Sequence, residues 1–196
     1  MLNVGVLSIQ GAVSEHADRL VETFEQLGIS GRVHLIRNAS DIEGIDGLIL
    51  PGGESTTISK NLVKRRLFES IKARISEESL PVFGTCAGCV LLSDRVVDDK
   101  KGVKVFSAMS MEVRRNAFGS QCFSFEQDID VSMFDSAFPG VFIRAPIIEK
   151  VWDNCSVIAR FDEKIVGAMQ DKFLALSFHP ELTNDLRFHQ LFVEKI

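Results

Sequence analysis

No stretch of the 196-residue sequence approaches the roughly 20 consecutive apolar residues that a membrane-spanning helix needs, so a membrane role is not expected. Nor is there a surplus of basic charge: 22 Lys and Arg stand against 27 Asp and Glu, a net charge of −5. Without a Lys/Arg cluster interleaved with stacking aromatics, there is no footprint for nucleic acid. Cysteine is scarce. Four in a chain of this length do not make a disulfide framework. Cys122 and Cys155 are isolated, and no second C-x-x-C or His pair stands at ligand spacing, so no metal site is expected. Internal repeats, low-complexity tracts and linkers are also lacking. The N-terminal MLNVGVLSIQGAV has no charged leader segment, and Asn3, Gly5, Ser8 and Gln10 interrupt its apolar character, so it reads as a strand. What remains is an ordinary globular composition, 45% hydrophobic and 25% charged, consistent with one domain over residues 1–196 in a reducing cytoplasm.

The first half alternates strands and helices. Leu2 to Ile9 is a mostly apolar strand, and Val13, Ala17, Leu20, Val21, Phe24 and Leu27 then recur at spacings of three and four, the pattern of an amphipathic helix. Gly28 stands where such a helix is closed by a glycine. Arg32 to Ile36, Gly47 to Leu50 and Pro81 to Gly84 follow as short strands that read as apolar on both faces. This order predicts an α/β fold of flavodoxin-like type, a mostly parallel central sheet with helices on both faces. From about Gly102 the texture changes to successive strand-like segments: MSMEVRR, CFSFEQDIDV, GVFIRAP, CSVIARF, KIVGAMQ and FLALSF. Additional antiparallel strands are expected here, and a final helix from about Asn184 to Glu194.

Gly84-Thr85-Cys86-Ala87-Gly88 has the form G-x-C-x-G between a predicted strand and a helix. Glycines on both sides permit the tight turn that exposes a nucleophile, and a thiol at a helix start is favoured as the thiolate by unpaired N–H groups. The N–H of Ala87 is then a candidate oxyanion donor. Two other readings stay open: a buried structural cysteine, or a redox pair in Cys86-Ala87-Gly88-Cys89. The redox reading leaves the flanking glycines unexplained.

A nucleophilic cysteine needs a base and an orienting group. Phe178-His179-Pro180-Glu181 offers both: Pro180 stiffens the turn, placing His179 at the C-terminal end of a strand, and Glu181 can hold its tautomer. His16, His34 and His189 fall in helix or strand contexts and are assigned structural roles. Pro51-Gly52-Gly53-Glu54-Ser55-Thr56-Thr57 supplies a second wall, with glycines that allow close approach of backbone and N–H groups able to face an oxyanion. Glu54 argues against a phosphate cradle.

P-G-G loop, elbow and H-P-E, in this order on strand ends, resemble the class I glutamine amidotransferases with their Cys-His-Glu triad. Ile9-Gln10-Gly11-Ala12-Val13 with Glu15-His16, PGGEST, GTCAG, Arg115-Asn116-Ala117-Phe118-Gly119, Phe142-Ile143-Arg144-Ala145-Pro146 and His179-Pro180-Glu181-Leu182 are similar to the glutaminase subunits of pyridoxal 5′-phosphate synthases. The resemblance spans nearly the whole chain. It implies hydrolysis of L-glutamine to glutamate and ammonia, with ammonia passed to a separate synthase subunit and no cofactor required. It also implies Cys86 as nucleophile, His179 and Glu181 as its triad partners, and Gly53 and Ala87 as oxyanion donors. Glutamine binding falls to Gly52, Gly53, Glu54, Arg115, Ile143 and Arg144, and the partner contact to Gln10. Ser120 stands where an arginine is common, and Cys89 where an aliphatic residue or methionine is usual. A glutaminase serving another amidotransferase, such as that of histidine biosynthesis, differs only in its acceptor partner.

Overall fold

The computed structural model describes residues 1–77, 79–97, 99, 102–115, 117 and 124–196. In chain order the first half carries strands β1 (Leu2–Leu7), β2 (Gly31–Ile36), β3 (Gly47–Leu50), β4 (Val82–Thr85) and β5 (Ser93–Val96). The second half carries β6 (Met109–Arg114), β7 (Ser124–Val131), β8 (Phe138–Ile143), β9 (Ile147–Val151), β10 (Ser156–Phe161), β11 (Lys164–Gln170) and β12 (Phe173–Leu176). The helices are α1 (Val13–Leu27), α2 (Ser55–Lys64), α3 (Leu67–Ser76), α4 (Ala87–Leu92) and α5 (Arg187–Val193). Among the described residues none is long and apolar enough to cross a membrane.

Five strands run parallel in the order β2, β1, β3, β4, β12, and the sheet then continues antiparallel through β11, β10, β7 and β8. Side chains leave the parallel strands alternately, as the two-residue period of a strand dictates. Leu48, Leu50, Val82 and Ala175 enter one core with Ile58, Leu62, Phe68, Ile71 and Leu91 of α2, α3 and α4. Ile49, Phe83, Leu174 and Leu176 enter the other with Leu20, Phe24, Phe188 and Phe192 of α1 and α5. Each fully buried side chain of this kind contributes about 1.5–3 kcal/mol, so covering both faces is what makes the short strands hold. Helix α1 ends as its sequence indicates, with Gly28 at φ 64° and its N–H returned to Glu25 and Phe24.

The arrangement matters for chemistry because β12, the last strand, returns to lie parallel to β4, pairing Ala175 with Gly84 and Leu176 with Thr85. On its other side β4 pairs Gly84 with Leu50 of β3. The loops after β3, β4 and β12 therefore leave the sheet side by side at the carboxyl edge, where ligands gather in open parallel sheets.

Four local readings need correction. Strand β2 is an edge strand, paired only with β1, and Ile36 is its one buried residue, so it is not apolar on both faces. Strand β5 was hidden by its polar Asp94 and Arg95, and β9 by its closeness to the G-V-F-I-R-A-P segment. The final helix starts at Arg187: the backbone N–H of Arg187 donates to Asp185, which caps a turn where helix was expected from Asn184. The strand expected over CFSFEQDIDV is present as β7 from Ser124, and Cys122 itself lies outside the described residues.

Candidate active site

Cys86 occupies the turn between β4 and α4 with φ 48° and ψ −100°, a conformation that costs a non-glycine residue about 1–3 kcal/mol. The surrounding structure over-determines it. Its N–H donates to the Leu176 carbonyl at 2.8 Å, which extends the β4–β12 ladder into the turn. Helix α4 follows so closely that a Cβ on Gly88 would lie 2.0 Å from the Leu50 carbonyl oxygen. Only glycine fits there, which is why the glycine spacing carried the signal. The Cys86 thiol points to the Ile143 carbonyl at 3.9 Å, and the N–H of Ala87, first in α4, has no acceptor within its own helix.

His179 lies three residues beyond Leu176, the end of β12, and its N–H donates to the Val141 carbonyl of β8 at 2.8 Å. Below the turn, Phe178 packs against Phe138, Phe142 and Phe188 with ring centroids 5.9, 5.5 and 5.6 Å apart. Pro180 opens a single 3₁₀ turn, Pro180–Leu182, which folds Glu181 back so that its Oε1 lies 2.7 Å from His179 Nδ1. A carboxylate only accepts, so Nδ1 carries the proton and Nε2 is left for the thiol. Among the described residues Nε2 has no hydrogen-bond partner of good geometry. Burial opposes the charged imidazole, but the Cys86 thiolate and the Glu181 carboxylate outweigh it and raise the His179 pKa to about 10. Burial likewise pushes Glu181 up, and His16 and His179 together bring it below its ordinary value. The charged imidazolium is thus the favoured form of His179.

Gly52 lies between the two catalytic candidates. A Cβ placed on it would meet His179 Cε1 at 2.3 Å and Cys86 Cβ at 3.3 Å. The loop continues through exposed Gly53 to Glu54, which caps α2 by accepting from the N–H groups of Thr56 and Thr57 and from the Thr57 hydroxyl. Burial, the largest single influence, raises the Glu54 pKa, and these bonds together outweigh it and bring the carboxyl to about 2. Its Oε1 also accepts from Arg115 at 3.0 Å, and Gln10 Oε1 accepts from the Glu54 N–H at 3.2 Å. Gln10, Glu54 and Arg115 are therefore linked across the mouth of the site. Arg144 follows Ile143 at φ 45°, exposed on the same rim. Asn116, Phe118, Gly119 and Ser120 of the fourth motif lie outside the described residues.

Cys89 is completely buried in α4, and burial pushes its thiol pKa up, the reverse of what a redox partner needs. Cys86, Cys89 and Cys155 are all free. A surface groove of about 590 Å³, lined by Glu126, Asp128, Pro139, Val141, Leu182 and Asn184 among others, includes none of the three triad candidates.

A family profile described as the SNO glutamine amidotransferase family matches residues 6–196. The chain belongs to that family. The pyridoxal 5′-phosphate synthase subunit PdxT of Thermococcus onnurineus is 45% identical over 196 residues, covering all of this chain and 99% of that protein. Its namesake in Methanosarcina barkeri is 43% identical over 198 residues, covering all of this chain and 98% of the other. A crystal structure of a glutamine amidotransferase, 41% identical, superposes with a TM-score of 0.86 over 98% of this chain and 97% of that one. A second, from Thermotoga maritima, is 14% identical with a TM-score of 0.62 over 99% of this chain and 83% of its own, and shares the fold.

In this member of the family, one contact escaped the reading of the sequence. His16, assigned a structural role, places its Nε2 3.3 Å from Glu181 Oε2. The available signal was its place on the apolar stripe of α1 with Leu20 and Phe24, where an unpaired histidine is costly.

Proposed function

We propose that this chain is the glutaminase subunit of a pyridoxal 5′-phosphate synthase, hydrolysing L-glutamine to L-glutamate and ammonia with Cys86, His179 and Glu181. The observation that carries the catalytic assignment is the strained Cys86 elbow facing an imidazole whose Nδ1 is held at 2.7 Å by a buried carboxylate. The family match and the relatives' names support the acceptor. Residues 1–196 act as one glutaminase domain.

The Cys86 thiolate attacks the side-chain amide carbon of glutamine, and the resulting oxyanion is held by the N–H groups of Gly53 and Ala87. His179 Nε2 gives its proton to the amide nitrogen, the C–N bond breaks and ammonia leaves, with Cys86 now a γ-glutamyl thioester. Water then attacks the thioester, His179 accepts its proton, and cleavage of the C–S bond restores the thiolate–imidazolium pair. Glu181 holds the imidazole and balances its charge throughout. This route draws only on protein groups and water.

Glu54 and Arg115 present the charges that the α-ammonium and α-carboxylate of glutamine require, with Gly52, Ile143 and Arg144 completing the rim. Because Glu54 and Arg115 bond each other in this state, substrate has to insert between them or displace one. Gln10 joins the end of β1 to the same loop, so a synthase subunit docking at Gln10 is positioned to reset Gly53 and shift the loop toward its competent form. Free ammonia is protonated in water, which gives the chain reason to work only when docked. A reducing cytoplasm suits the catalytic thiol.

The experiment is glutamate release from L-glutamine by the purified chain, alone and with its synthase subunit, beside Cys86→Ala. Release that rises on adding the partner and disappears in the variant is expected. Substantial release by Cys86→Ala rejects the nucleophile, and equal rates with and without the partner reject activation by docking.

A further inference from the structure

The triad does not end at Glu181. His16 of α1 and His189 of α5 are completely buried and contact each other, His16 Nδ1 to His189 Nε2, at 3.0 Å. The other nitrogen of His16, Nε2, lies 3.0 Å from the Thr85 hydroxyl and 3.3 Å from Glu181 Oε2. Thr85 is the residue immediately before the nucleophile. Two imidazoles thus connect the two helices of one sheet face to both ends of the catalytic apparatus.

The protons can be placed from these partners. Glu181 Oε2 makes no hydrogen bond of good geometry among the described residues, but a bare Nε2 lone pair 3.3 Å from a carboxylate oxygen would be repelled. Nε2 of His16 therefore carries the hydrogen, bonded to the Thr85 oxygen with Oε2 beside it. His16 faces Glu181, His179 and Glu15, and burial is the largest influence on it, lowering its pKa and keeping it neutral. Its Nδ1 is then an acceptor, which obliges His189 to donate from Nε2. His189 faces His16 and Arg19, and burial holds it neutral too. Its Nδ1, with no hydrogen-bond partner among the described residues, is the unprotonated nitrogen that this arrangement requires.

We propose that His16 is a positioning residue for the triad: its Nε2–H, bonded to Thr85, sets a positive dipole 3.3 Å from the Glu181 oxygen turned away from His179, and His189 fixes the tautomer that presents it. This rests on the reading of Glu181 as the third triad member. Without that N–H, the buried Glu181 oxygen, which has no hydrogen bond of good geometry among the described residues, loses the dipole that faces it, Glu181 is freer to rotate or take up a proton, and His179 loses its fixed orientation.

Two substitutions of similar polarity separate this role from simple packing. The amide nitrogen of His16→Gln reaches the place of imidazole Nε2, whereas that of His16→Asn reaches only the place of Nδ1, toward His189. For each variant assembled with the synthase subunit, kcat and KM for glutamine are measured, with the pH dependence of Cys86 alkylation by iodoacetamide and the melting temperature. The expected result is a kcat for His16→Asn about tenfold or more below that of His16→Gln at similar KM. The acidic limb of its alkylation profile should also move to higher pH. Equal kcat and alkylation profiles in the two variants, or a better His16→Asn, overturn the proposal. As a check that needs no variant, ¹⁵N chemical shifts of the parent protein should report neutral His16 protonated at Nε2; the Nδ1 tautomer overturns it. If Cys86→Ala retained turnover, the triad itself would be wrong, a result distinguishable from either of these.

Discussion

Cys86, His179 and Glu181 are only 7%, 6% and 3% exposed, while Ile143 is 38% exposed and the Glu54 side chain 43%. The three proposed catalytic groups follow β4 and β12, the last two strands of the parallel run, and the backbones of Cys86 and His179 are tied to Leu176 and Val141. The groups assigned to glutamine and to the partner sit on loops held by a few polar bonds among Gln10, Glu54 and Arg115. The reactive centre is thus built into the core, and the binding rim is hung on it. Rigid positioning belongs where bonds are made and broken, and adjustability where substrate enters and a partner docks.

The sharpest challenge to this contrast is a single methyl group at its boundary. Gly52→Ala places a Cβ against His179 and Cys86, and kcat should fall on the order of a hundredfold, the usual result of an ångström-scale misplacement. Its melting temperature should also fall, because Gly52 is buried and the added methyl has no free space, so kcat is read below the variant's own unfolding transition. A variant that keeps its kcat would show that the reactive centre is softer than described.

Arg115→Ala acts on the rim alone. Loss of a hydrogen bond to a charged group is worth about 1.5–3 kcal/mol, so KM should rise about ten- to a hundredfold with kcat nearly unchanged. Steady-state kinetics check this, and a kcat effect larger than the KM effect would place Arg115 in the reactive centre instead.

Acidity separates the buried groups by sign. The His179 pKa is raised to about 10, so its contribution to stability is complete below the ordinary imidazole value of 6.5 and is lost as pH rises through about 10. Glu181 is lowered, so its contribution is present above 4.5 and lost as pH falls below it. His16 and His189 are held neutral, and protonation below 6.5 favours the unfolded chain. The melting temperature should therefore peak near pH 6.5, falling on the acid side as His16 and His189 favour the unfolded chain and on the alkaline side as the His179 contribution is lost between 6.5 and about 10. Cys86→Ala should show a smaller alkaline decline, since the thiolate that supports charged His179 is gone. An unchanged alkaline limb would contradict the ion pair.

The smallest effect is expected at Cys89. Its thiol is buried in α4 away from solvent, so Cys89→Ala should lower stability modestly and leave glutamate release intact. Loss of turnover without loss of fold would reopen a role for the second cysteine.

Much of the site was legible because its constraints are local. Gly84 and Gly88 flank the cysteine they admit, Pro180 sits between base and orienter, and Glu54 follows the two glycines it caps. The parallel strands were legible for the same reason, as short apolar runs between helices. What was not legible depends on distant chain. His16 and Glu181 are 165 positions apart and meet because α1 packs against the turn Pro180–Leu182 that follows β12. Strand β5 has the polar residues of a partly exposed strand and is defined by its pairing with β6. The bond between Gln10 and Glu54 likewise needs β1 and β3 side by side.

The most direct measurement is mass spectrometry of the complex quenched in acid during glutamine turnover. A γ-glutamyl adduct on the peptide carrying Cys86, absent from Cys155 and from Cys86→Ala, is the result expected of a cysteine glutaminase. Continued turnover with Cys86 never modified would contradict it.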